Sequence, residues 1–283
     1  MDVQNDDTLD SELVSRAQAG DRDALDQLIR RHQPWLLHIT QRMLWNRADA
    51  EDAMQEILVK VITRLAEFER RSAFRTWLYR IAANHLLDRA RTKSFDKLAQ
   101  ALSEMPDLDL PDPRASGVET AILLEEVKTA CTTGILLCLE PRQRLVFILG
   151  EILGVTDDVG SVILDTTPAN FRQLLSRTRR ELYGFLNRQC GLVNESNACR
   201  CANKAQGFVA NGWVKLNHLQ FVDTQIIEVR RVAPDRTREL QELEQRHAEI
   251  FRQQSLLQPR DQAIALEKLL QETGISRNMG LKQ

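Results

Sequence analysis

Apolar residues recur at helical rather than strand spacing along most of the chain. Ala53, Ile57, Val61 and Leu65, with Met54, Leu58 and Ile62 beside them, mark one broad face of a buried helix. Residues 10–93 read as helical throughout, with Asp10 and Asp21 placed as N-caps before apolar runs. Pro34 is expected to bend or interrupt the second helix near Gln33. Residues 94–120 break the pattern. There Pro106, Pro111 and Pro113 stand among Glu104, Asp107, Asp109 and Asp112, which predicts an extended acidic linker. Helical spacing returns over 121–188. Pro141 suits the first position of one helix, Thr156 with Asp157 and Asp158 opens another, and Thr167 caps a third that begins with Pro168. Asp165, in the connection between the last two, is one of the few non-glycine residue types that tolerate left-handed backbone. A short helix, a tight turn and a longer basic helix make a helix-turn-helix candidate.

Beyond residue 189 the pattern is mixed. Residues 207–233 combine turn residues with β-branched runs, and helical stripes follow at Asp235–Leu257 and Pro259–Glu272, the second ending before Gly274. The expected fold is mainly all-α. It comprises helical domains at 10–93 and 121–188, a flexible linker at 94–120, and a mixed, mostly helical extension at 189–283.

Composition excludes some classes and leaves others open. Hydrophobic residues at 43% and charged residues at 28% suit a chain that buries a core. No apolar stretch approaches the roughly 18 residues a membrane span needs, and the acidic start does not resemble a signal peptide. A cytoplasmic protein is expected. The net charge of −2 conceals an uneven distribution. Arg64, Arg70, Arg71, Arg75, Arg80, Arg89, Arg91 and Lys93 crowd one segment, interleaved with Phe68, Phe74, Trp77, Tyr79 and His85. Cations hold phosphates and flat rings stack on unpaired bases, so a site for melted DNA needs both kinds together. In the other basic segment, Asn170, Arg172 and Gln173 occupy the start of the third helix, where base edges are read. Arg177, Arg179 and Arg180 follow at positions suited to phosphates.

The stretch ALDQLIRRHQPW through NHLLDRARTK resembles region 2 of the extracytoplasmic-function (ECF) sigma factors, and LEPRQRLVF through LLSRTRREL resembles their region 4. The resemblance implies a non-enzymatic subunit that brings RNA polymerase core to promoter DNA. In DAEDAMQEILVKV, it implies that Asp49, Asp52, Gln55 and Glu56 meet the clamp helices of the polymerase β′ subunit. In FERRSAFRTWLYRIAANHLLDRAR, it implies that Arg70, Arg71, Ser72, Phe74, Arg75, Trp77, Tyr79, Arg80 and Asn84 recognise the −10 element and hold the melted strand. The TPANFRQ helix start would read the −35 element, with the β flap as a further polymerase contact and an anti-sigma factor as a further candidate partner. Two positions depart from the family pattern: Leu174, where a basic residue is common, and Asp165, where a glycine often stands.

The extension opens with CGLVNESNACRCANK, whose Cys190, Cys199 and Cys201 are candidate zinc or copper ligands, redox sensors or structural thiols, with His218 a candidate fourth ligand. No cofactor is required by the sequence reading. Cys131 and Cys138 read as small core residues. Neither a phosphate loop nor a nucleophile motif is present, so an enzyme is not expected. The alternative is a helix-turn-helix regulator that binds duplex DNA without polymerase, which leaves the Arg/Trp/Tyr cluster unused.

Overall fold

A computed structural model describes residues 3–105, 118–215 and 219–221. Along them run ten α-helices: α1 (Val3–Gln18), α2 (Arg22–Met43), α3 (Arg47–Arg64), α4 (Phe74–Arg89), α5 (Phe95–Glu104), α6 (Val118–Leu136), α7 (Pro141–Phe147), α8 (Asp157–Ile163), α9 (Pro168–Gln189) and α10 (Cys201–Ala210). A 3-10 turn, Leu65–Glu67, follows α3, and a π turn, Ile148–Ile152, follows α7. The described residues contain no strand, only an isolated β-bridge between Cys190 and Cys199. The helices predicted at Asp235–Leu257 and Pro259–Glu272 lie outside the described residues.

Most starts follow the expected capping. Asp21 accepts from the Ala24 amide at 3.1 Å, and Thr167 from the Asn170 amide at 3.2 Å. Thr156 caps α8, and Pro141 opens α7 within a Glu140/Gln143 capping box. Asp165 holds the helix-turn-helix turn at φ 49°, the left-handed geometry expected of it.

Three expectations need correction. Asp10 is not a cap: it lies inside α1, buried, with Oδ1 2.9 Å from Arg31 Nε and Oδ2 3.0 Å from His32 Nε2. Its burial would raise the carboxyl pKa, but the bonds from His32 and Arg31 outweigh that and hold it below the usual value. Pro34 does not interrupt α2, because Leu36, Leu37 and Ile39 beyond it are fully packed and keep the second half in place. Nor is 94–105 an extended linker. Ser94 accepts from the Lys97 amide at 3.4 Å and starts α5, which buries Leu102.

One hydrophobic core runs through both predicted domains. Leu28, Met54, Ile57, Leu78 and Leu86 of α2–α4 join Leu145, Val146, Ile163 and Phe171 of α7–α9. At this junction sits Arg144, fully buried. Its Nε donates to the Leu136 carbonyl at 3.0 Å, Nη1 to Met43 at 2.5 Å, and Nη2 to Arg91 at 2.6 Å and to Leu137 and Leu139 at 3.1 Å. These carbonyls lie at or just past the ends of α2, α4 and α6, where helix dipoles are negative. Burial lowers the guanidinium pKa to about 10, yet it stays charged at neutral pH.

A second core forms where Phe208 and Ala205 of α10 pack with Leu102 of α5, Met105 just after it, and Val127 and Ala130 of α6. Lys204 Nζ donates to the Met105 carbonyl at 2.7 Å, and the buried Glu126 carboxylate accepts the Gln220 and Phe221 amides at 2.7 and 3.2 Å.

Replacing Arg144 with Met leaves those carbonyls unpaired and lowers unfolding free energy by about 3–5 kcal/mol in urea titration. Arg144→Lys gives little recovery, because an ammonium cannot reproduce the planar fork. Burial, helped by nearby Arg42, lowers the His38 pKa from 6.5 to about 4. The unfolded chain therefore takes up this proton first, and stability is lost as pH falls from 6.5 towards 4. Thermal melts across that range should show a shallower loss for His38→Gln.

Candidate nucleic-acid interface

α3 and α4 lie side by side and enclose a groove of about 450 Å³, lined by Lys60, Arg64, Trp77, Arg80, Asn84 and His85 among others. Helical spacing explains the set. Lys60 and Arg64 are one turn apart on α3, while Trp77, Arg80 and Asn84 fall on one stripe of α4. Trp77 is half-buried, its ring tilted against Phe68 at 5.0 Å and Phe74 at 5.7 Å between centroids. The core thus braces one side of the ring while the other lines the groove. Lys60 Nζ donates to His85 Nδ1 at 2.7 Å, and burial followed by the Lys60 charge lowers the His85 pKa. With Nδ1 accepting from Lys60, a ring proton belongs on Nε2, a buried atom 3.7 Å from Glu56 Oε2. A groove offering three cations, Lys60, Arg64 and Arg80, and a braced indole beside the carboxylates Glu67 and Asp88 suits an unpaired base and its phosphate.

Two predicted contacts are corrected. Phe74 and Tyr79 are each only 5% exposed, so in this structure neither offers a ring face to DNA. Phe74 packs edge-on against Phe68, and Tyr79 stacks on Trp35 at 3.4 Å with the planes 3° apart. Burial pushes the Tyr79 phenol pKa up, as expected of a ring held in the core. The remaining candidates divide by place. Arg80 and Asn84 are exposed on α4 and Arg75 is half-buried, while Arg70, Arg71 and Ser72 occupy the loop before it. Arg70 adopts left-handed backbone, φ 59°, and its Nη2 donates to Ser15 Oγ at 2.8 Å and Gln18 Oε1 at 3.2 Å on α1. Gln18 also donates to the Leu65 carbonyl at 2.9 Å, so α1 fixes the path of this loop.

In the helix-turn-helix, α8 and α9 cross closely enough that a β-carbon on Gly160 would stand 2.4 Å from the Phe171 ring. That contact turns the first positions of α9 outwards, and Asn170, Arg172 and Gln173 are all exposed. Arg172 is oriented by an ion pair with Asp157 on α8. Arg177 and Arg180 are exposed further along, whereas Arg179 pairs with the largely buried Glu151 at 2.5 Å. Arg179 therefore secures α9 to the π turn and does not have the purely phosphate-facing role expected of it. Leu174 is half-buried against the shared core, which explains an apolar residue there.

Nearer the start of α3, and adjoining the groove through Lys60, Asp49, Asp52 and Glu56 are exposed and Gln55 is half-buried, forming an acidic face. Glu56 Oε1 accepts from Arg89 at 2.5 Å, which couples that face to α4. Lys60 was not among the sequence candidates, and Arg64 and His85 stood there only as members of the basic-aromatic cluster. Their signal was the spacing across α3 and α4, which becomes visible once the helices are paired.

None of the five cysteines forms a disulfide in this structure. Among the described residues no three His, Cys, Asp or Glu side chains are arranged to hold a metal ion, and His218 lies outside those residues. Nor is any described helix long and apolar enough to cross a membrane.

Comparison with known proteins bears on the same surfaces. Residues 28–95 match the family model for Sigma-70 region 2. The chain is 28% identical over 177 residues to the RNA polymerase sigma-H factor of Pseudomonas aeruginosa, spanning 61% of this chain and 91% of that protein. It is 29% identical over 181 residues to the ECF RNA polymerase sigma factor SigM of Mycobacterium tuberculosis, spanning 63% and 86%. With the ECF RNA polymerase sigma-E factor of Escherichia coli it shares 28% over 186 residues, spanning 61% and 92%.

Phe74→Ala should lower stability by about 3–5 kcal/mol, the usual cost of emptying a buried aromatic site. Arg80→Ala and Asn84→Ala, both on the exposed rim, should stay within about 0.5 kcal/mol of the parent. Urea midpoints with unchanged slopes would establish the division between scaffold and surface.

Proposed function

We infer that this chain is a sigma factor of the ECF type, a non-catalytic subunit that directs RNA polymerase to promoters. What supports this reading is that one chain carries two surfaces of different kind, a basic groove with a braced indole and an exposed polar helix start. The α3–α4 groove suits unpaired bases, whereas the start of α9 suits base edges in a duplex major groove. An ordinary duplex-binding regulator needs only the second.

On this reading the groove takes the −10 element. Trp77, Arg80 and Asn84 hold the strand from α4, Lys60, Arg64 and His85 meet it from the floor and α3 side, and Arg70, Arg71, Ser72 and Arg75 flank it. Asn170, Arg172 and Gln173 read the −35 element, with Arg177 and Arg180 on phosphates. Asp49, Asp52, Gln55 and Glu56 present their acidic face to the β′ clamp helices, and the α7–α9 unit meets the β flap. The work is done in the cytoplasm, and an anti-sigma factor would act by covering one of these faces.

The packed arrangement adds a mechanical requirement. Elements at −10 and −35 lie about 25 base pairs apart, or about 85 Å along B-form DNA at 3.4 Å per base pair. A folded chain of this length has a radius of gyration of only about 19 Å. Since α4 packs against α7 and α8 in one core, the two readers must part when polymerase engages both elements.

Transcription with purified core polymerase, this protein and a promoter library at stated salt tests the reading. Promoter-dependent initiation is expected, with losses of about tenfold or more for Arg80→Ala, Trp77→Ala and Arg172→Ala. Duplex binding that ignores core polymerase, with no initiation, would favour the ordinary regulator.

A further inference from the structure

After α9 the chain doubles back through residues 190–200, and polar contacts fix that loop tightly. Asn197 Nδ2 donates to the Asn187 and Cys190 carbonyls at 2.9 and 3.2 Å, and Asn194 Nδ2 to the Asn187 carbonyl at 3.3 Å. The Arg200 guanidinium donates to the carbonyls of Asn197, Cys199 at 3.1 Å and Glu195 at 2.8 Å. Gly191 permits the approach. A β-carbon there would stand 2.2 Å from the Cys199 carbonyl and collide with Arg200.

These contacts leave Cys190 and Cys199 as a bridged pair of backbone segments. Neighbouring strands run about 4.8 Å apart, inside the roughly 4.4–6.8 Å between α-carbons that a disulfide spans. Both cysteines are half-exposed, which gives a small oxidant access. Two further thiols lie close by, Cys131 on α6 and Cys201 at the start of α10, and they differ in chemistry. Burial pushes Cys201 up to about 12 and Cys131 well above the ordinary value, with neighbouring cysteines adding to each shift. A thiol that stays protonated is a poor nucleophile, and neither of these two is bridged to a partner segment as Cys190 is to Cys199.

We propose that Cys190 and Cys199 are an oxidisable pair that closes to an intramolecular disulfide on exposure to hydrogen peroxide. The thiolate of one cysteine attacks a peroxide oxygen. An S–O bond forms, the O–O bond breaks, and hydroxide leaves and is protonated to water. The second thiolate then attacks the sulfenic sulfur, forming S–S and breaking S–O, and a second water leaves. Two thiols lose two electrons and one peroxide becomes two waters. The bond covalently closes the loop that delivers α10 to its docking site on α5 and α6. The chemistry does not rest on the reading of the chain as a sigma factor.

The test treats the full-length, reduced protein with hydrogen peroxide and follows free thiols by alkylation and peptide mass spectrometry. Two of the five thiols should disappear, with a single cross-link joining Cys190 to Cys199 that dithiothreitol reverses. Gly191→Ala keeps every cysteine but forces the segments apart, and should slow closure by about tenfold or more. Cys190→Ser should abolish the cross-link and leave Cys131 and Cys201 reduced. Retention of all five thiols, a cross-link through Cys131 or Cys201, or closure of Gly191→Ala at the parental rate would each overturn the proposal.

Discussion

The arrangement depends on one buried cation. Arg144 carries its charge into the core without a carboxylate partner and is stabilised there by backbone carbonyls. Five carbonyls converge on it because helices α2, α4 and α6 all end nearby, with their negative dipole ends facing inwards. An uncompensated buried charge would be strongly unfavourable, so this one requires all three helix ends to be present at once. It thereby specifies how the α1–α4 unit and the α7–α9 unit meet. The apolar contacts among Leu78, Leu86, Leu145 and Ile163 supply most of the attraction. They are non-directional, and the guanidinium supplies the geometry.

The consequences reach the DNA surfaces. Because α4 is buried along one side, its aromatic residues divide into two groups. Phe74 and Tyr79 hold the helix in the core, and Trp77 is left half-exposed at the groove. α9 is turned outwards by the Gly160–Phe171 contact and secured by Arg179 to Glu151. Each surface is thus preformed, and on the proposed reading what polymerase must change is their separation. On that reading, the interdomain contacts that order the free protein are the ones that core binding has to replace.

Much of the fold was legible in the sequence because it is governed by local rules. Caps at Asp21, Thr156 and Thr167, the opening Pro141 and the left-handed Asp165 depend only on residues within a few positions. Errors arose where partners are distant. Asp10 resembles a cap until Arg31 and His32 come round to it from α2, and Pro34 resembles a break until the packing beyond it is known. The aromatic-basic cluster pointed to a candidate site on α4 but not to which rings turn inwards, since stripe and core depend on the neighbours α3 and α8. Arg144 was invisible because its partners are carbonyls, which every residue has. Similarly, the pairing of Cys190 with Cys199 comes from a loop fixed by Asn197, Arg200 and Gly191, and the cysteine spacing alone left it open.

The central claim is that one surface reads duplex DNA and the other captures bases that have left it, in company with polymerase. Permanganate footprinting tests this most directly, because permanganate oxidises thymines only where they are unstacked. With core polymerase and this protein together on a responsive promoter, reactive thymines should appear between the −10 element and the start site. They should be absent with either component alone and much reduced with Trp77→Ala. Permanganate patterns identical with and without this protein, alongside protection of duplex DNA that does not need core polymerase, would contradict the account.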